Sequence, residues 1–74
     1  MIVETGELRN IPEMVLMKAH QYGEQLGAEK VVICPEGRRK KDYALAFWRG
    51  EARAPFILGA IYSDGSDHLY SFHS

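Results

Sequence analysis

Apolar positions between residues 11 and 26 recur with helical spacing. At 100° per residue, Ile11, Met14, Val15, Ala19, Tyr22 and Leu26 fall on one stripe with Lys18 near its middle. Both ends of the segment carry signals. Asn10 reads as an N-cap with Glu13 at capping-box spacing, Pro12 falls in the first turn where its missing N–H costs nothing, and Gly27 follows as a left-handed C-cap. The pattern predicts a helix over about residues 11–26 whose stripe faces a core, with Lys18 snorkelling outward. Leu16 and Met17 lie off the stripe, beside a polar face of Glu13, His20, Gly23 and Glu24.

After the helix the period changes. Val31, Val32, Ile33 and Cys34 form a β-branched run closed by Pro35, Glu36 and Gly37, which reads as a strand and turn, and Ile2–Val3 is placed as a brief first strand beside it. Arg38, Arg39, Lys40 and Lys41 form a charged connection into a strand over residues 43–49; a helix from Asp42 to Pro55 competes with that strand because alanines are frequent there. Residues 56–62 read as another strand. Ser63-Asp64-Gly65-Ser66 is a hairpin turn leading to a last strand over residues 67–73. The expectation is one α+β domain over residues 1–74, in the order β-α-β-β-β-β: an amphipathic helix on a mainly antiparallel sheet of three to five strands.

Both faces of the later strands are apolar. Tyr43, Leu45 and Phe47 alternate with Ala44, Ala46 and Trp48, and Phe56, Leu58, Ala60 and Tyr62 alternate with Ile57, Gly59 and Ile61, whereas a sheet covered on one side only should alternate apolar with polar. One helix covers one face. The other needs strand curvature, a second copy, another protein or a ligand. Self-association is the preferred solution, since a two-fold dimer needs a single self-complementary patch; Trp48, Ile57 and Ile61 are the candidate interface, with Leu16 and Met17 as a second contact surface.

The composition, 46% hydrophobic and 26% charged, belongs to a folded chain, and a net charge of −1 gives no global attraction to nucleic acid or anionic membrane. The single Cys34 excludes an internal disulfide, and the first residues carry neither a basic segment nor an apolar run, so the expected compartment is the cytoplasm.

Candidate chemistry is sparse. Arg38, Arg39, Lys40 and Lys41 could contact phosphates, making a nucleic-acid binder the alternative function, but four charges are few and a solvated loop that discourages edge-to-edge strand pairing is the preferred reading. Cys34 with His20, His68 or His73 lacks the surroundings of a nucleophile and base, and a cysteine closing an apolar strand is expected to be a buried small hydrophobe. His68 and His73 would point to opposite faces, and His68 with Asp64 or Asp67 matches no metal spacing. No phosphate-cradling glycine pattern occurs. An enzyme or small-ligand receptor would need a pocket on which groups such as Tyr22, Tyr70, His68 or Glu24 converge. The reading is therefore a non-enzymatic accessory or regulatory protein without cofactor, acting through protein–protein contacts as a homodimer.

Overall fold

The computed structural model describes residues 1–6, 10–36 and 39–71, and the side chains of these except residues 39, 40 and 71. Its elements are β1 (Ile2–Glu4), α1 (Glu13–Leu26), β2 (Lys30–Glu36), β3 (Arg39–Trp48), β4 (Ile57–Ile61) and β5 (Asp67–Ser71). The strands form one sheet in the order β1-β2-β3-β4-β5. β1 is parallel to β2 across the α1 crossover, and the remaining neighbours are antiparallel. This is an α+β fold with one helix packed on a mixed, mainly antiparallel sheet.

The helix starts later than the capping-box spacing predicts. Pro12 holds φ −55° and ψ 140°, an extended conformation, so it becomes the N-cap itself and makes no side-chain cap bond. A proline also disfavours the helical conformation in the residue before it, which keeps Ile11 out of α1 and strands Asn10 too far upstream to cap. The other end follows the prediction. Gly27 takes φ 68°, and the N–H groups of Gly27 and Ala28 donate to the carbonyls of Glu24 and Gly23, the paired bonds of a Schellman cap. Arg49 adds a bond to the Leu26 carbonyl at 2.7 Å.

The helix covers one sheet face. Val15 and Ala19 of α1 pack with Val31, Ile33, Tyr43, Leu45, Phe47 and Ile61 in a buried core, and Val3, Tyr22, Leu26, Ile57 and Leu69 close its edges. Gly23, placed on the polar face by its spacing, is buried instead, with the Met1 side chain close above it. Gly59 serves a close approach. A Cβ there would stand 2.9 Å from a Leu69 methyl and 3.7 Å from the Leu45 Cβ, so the glycine lets those leucines meet across β4.

Pro35 sits inside β2 without cost, because β1 pairs only as far as Val32 and leaves that part of β2 at an edge. The register then slips between Pro35 and Glu36, with Glu36 opposite Arg39. Residues 39–41 consequently extend β3 rather than forming a loop, and residues 42–48 are strand, not the competing helix.

Candidate functional site

Alternation along β3 divides its side chains between two environments. Tyr43, Leu45 and Phe47 meet the helix, whereas Ala44, Ala46 and Trp48 face away. Register extends this second face to Val32 and Cys34 on β2, Leu58 and Ala60 on β4, and His68 and Tyr70 on β5. No helix or strand among the described residues lies over it. Its centre is made of small side chains, so individual residues are only half-exposed and Ala60 retains 1%. What results is a shallow apolar floor between aromatic flanks.

The two ends of this face differ in charge. At one, Lys30 lies over the Trp48 ring, its ammonium 4.6 Å from the centroid. At the other, the Tyr62 and Tyr70 hydroxyls stand 3.2 Å apart, and His68 meets Tyr70 edge-on with centroids 4.3 Å apart. Glu36 and Asp42 lie at this end. The Tyr62 hydroxyl is pushed up to about 12, first by its bond with Tyr70, then by burial and by the negative charge of Tyr70, Glu36 and Asp42 when ionised. Asp42 is buried and accepts the Ser63 N–H at 2.8 Å, while one Glu36 carboxylate oxygen is buried without a hydrogen bond.

On the helix side, a polar cluster ties α1 to the β4–β5 hairpin. Lys18 donates to the Gly65 carbonyl at 2.6 Å and to Asp67 at 2.7 Å, and the Tyr22 hydroxyl donates to the other Asp67 oxygen. Asp67 is held below the ordinary carboxylate range, chiefly by the Lys18 bond and then the Tyr22 bond. Tyr22 is pushed up to about 12, first by its bond to Asp67. Lys18, placed in the apolar stripe by its spacing, thus reaches a specific partner.

The residues named from sequence do not form one patch. Ile61 is 0% exposed and Ile57 packs against the core, so both lie on the helix-covered face, opposite Trp48. Leu16 also packs against the core, and Met17 is exposed on the helix, remote from the open sheet face. Leu58 joins Trp48 instead, because Ala46 pairs with it and Phe47 pairs with Ile57. Of the basic run, Arg38 lies outside the described residues, Arg39 and Lys40 are placed by backbone alone, and Lys41 is exposed.

No family model, curated protein or solved structure matches this chain. The chemistry must therefore be read from the residues. Cys34 is exposed, not buried, because it sits on the open face, and its thiol approaches the Ala44 carbonyl at 3.9 Å rather than a histidine. Asp64 is held by the Ser66 N–H and hydroxyl, and Asp67 by Lys18 and Tyr22, so neither turns to His68. Among the described residues no three His, Cys, Asp or Glu side chains are grouped to hold a metal ion; His73 lies outside those residues. Tyr22, Tyr70, His68 and Glu24 do not converge on one cavity. No described helix is long and apolar enough to cross a membrane.

Proposed function

We propose that this chain is a non-enzymatic binding protein that acts through protein–protein contacts, and that its open sheet face pairs with the same face of a second copy. The observation that carries this reading is the apolar floor of Val32, Ala44, Ala46, Leu58 and Ala60, flanked by Trp48 and Tyr70 and covered by no described element. Five strands about 4.8 Å apart, with a mean length of about 20 Å, give roughly 500 Å² per copy. Two copies would bury about 1,000 Å², the lower edge of specific interfaces, so the dimer is reversible.

Charge supplies the register. Lys30 and Glu36 stand at opposite ends of β2, about 20 Å apart at 3.3 Å per residue. A two-fold axis lying between the faces and across the strands reverses β2 over its copy, bringing each Lys30 opposite the partner's Glu36. One patch then serves both subunits. The exposed lone thiol of Cys34 fits a reducing compartment, and the cytoplasm is the proposed location.

The test is sedimentation velocity on a charge-reversal cycle. Lys30→Glu and Glu36→Lys should each weaken the dimer, and the double variant should restore it. Ala46→Glu, which puts a charge in the centre of the floor without touching the core, should give monomer with an unchanged circular dichroism spectrum. Equal association of the wild type and all four variants, or a monomeric wild type, would remove the self-pairing reading. Salt-sensitive binding to duplex DNA by a monomer would replace it with the basic run as the working surface.

A further inference from the structure

A second feature lies on the helix side of the sheet and does not depend on self-pairing. A cavity of about 320 Å³ opens where the first turn of α1 overhangs β3 and the end of β4, lined among others by Pro12, Met14, Val15, Lys41, Tyr43 and Ser63. This volume is at the lower end of the roughly 300–1,000 Å³ that small-ligand sites occupy. The walls are mostly apolar.

Three features give the cavity its polar character. The first is the helix end. Val15 and Leu16 donate to the Pro12 carbonyl, which leaves the Glu13 and Met14 N–H groups without an intrahelical acceptor; the N-cap is a proline, and no side chain caps them. Together with the macrodipole they place about half a positive charge there. The second is Lys41, an exposed cation on β3.

The third is Tyr43, which decides the matter. Its ring belongs to the core and the residue is only 8% exposed, yet its hydroxyl makes no hydrogen bond with any described residue. Nor is that oxygen sealed inside the protein, where it would count as a buried unpaired atom. Tyr43 lines the cavity. A hydroxyl needs a partner, and at this largely buried residue the fold leaves room for a ligand atom in place of water. Ser63, whose N–H is committed to Asp42, adds a second hydroxyl at the rim.

We propose that this cavity binds a small carboxylic acid with an apolar body, aromatic or short aliphatic. The carboxylate accepts from the Tyr43 hydroxyl and from the free Glu13 and Met14 N–H groups, beside Lys41, while the body rests against Met14 and Val15. A monoanion fits better than a phosphate dianion. One lysine and half a helix charge are opposed by the exposed Glu13 in the same turn and by Asp42, which holds the Ser63 N–H at the rim, and the walls would leave a phosphate's remaining oxygens without donors.

The experiment is a titration of the full chain with benzoate, followed by amide proton–nitrogen spectra, with benzamide and inorganic phosphate as comparison probes. Benzoate should give saturable shifts at Met14, Val15, Tyr43 and Ser63, and each comparison probe should bind at least about tenfold more weakly. Tyr43→Phe keeps the core ring and should weaken benzoate about tenfold, the loss expected for one hydrogen bond to a charged group. Lys41→Met, a surface change, should also weaken it and serves as the readout if Tyr43→Phe perturbs the fold. The proposal is overturned if benzoate gives no saturable shifts or shifts centred elsewhere. It is overturned equally if benzamide or phosphate binds as tightly, or if the variants bind benzoate like the wild type.

Discussion

Replacing Asp67 by asparagine is expected to destabilise the fold by about 1–2 kcal/mol at neutral pH. The carboxylate takes an ion-paired bond from Lys18 and a hydroxyl bond from Tyr22, while Lys18 keeps its second bond to the Gly65 carbonyl. Bonds to charged groups are worth about 1.5–3 kcal/mol. The Lys18 and Asp67 side chains are 24% and 26% exposed, so water screens part of that gain and lets the orphaned groups rehydrate. In a chain this size the loss lowers Tm by about 4–16 °C. The pH dependence has a definite sign. Asp67 is depressed below its ordinary 3.8 in the folded protein, so its contribution is complete above that value and is lost as pH falls through the folded one. Asparagine does not titrate. Urea unfolding followed by Trp48 fluorescence should therefore show a gap between the two proteins at pH 7 that closes in strong acid. A gap under about 0.3 kcal/mol at pH 7, or one that persists in acid, would refute the reasoning.

Three further outcomes test other parts of the molecule. Tyr22 is raised from 10.0 to about 12, so the stability it lends is complete below the lower value and is lost as pH rises through the upper one; absorbance titration should show its late step moving down in Asp67→Asn. Phe47→Ala should cost about 3–5 kcal/mol, most of what a 74-residue domain has, whereas Ala46→Ser one residue earlier, on the open face, should cost under about 0.5 kcal/mol by chemical denaturation. Gly23→Ala should raise stability by about 0.5 kcal/mol through helix propensity. Its Cβ would meet Met1 Sδ at 2.0 Å, but Met1 is 41% exposed and can swing aside, so a measured loss would mean that Met1 is anchored there.

Features decided by local chemistry were legible before the structure. The left-handed Gly27, the 63–66 turn and the β-branched 31–34 run each depend on residues within a few positions and occur as read, except that the strand continues through Pro35 and Glu36, which read as its closing turn. The helix start was not, because Pro12 overrides Asn10 and Glu13: the same ring that suits a first turn also suits an extended cap. Alternation correctly separated Phe47 from Trp48 within β3. It could not carry that parity across residues 49–56, since a shift of one residue in the connection moves a whole strand to the other face. Alternation alone therefore groups Ile57 and Ile61 with Trp48, although register puts Leu58 there. Side-chain size held an unused clue. The helix covers Ile33, Leu45, Phe47 and Ile61, and the face built of Ala44, Ala46 and Ala60 stays open. The cavity at Tyr43 had no sequence signal, because its residues come from α1, β3 and the end of β4 and meet only in the fold.

The central claim, that the open sheet face pairs with itself, is tested most directly by the solution mass of the wild-type chain. Light scattering on protein eluting from size exclusion, loaded from about 1 µM to about 1 mM, spans association free energies of about −8 to −4 kcal/mol. The account predicts a mass that climbs from 8.4 kDa toward twice that value as concentration rises. A mass fixed at the monomer over the whole range would contradict it.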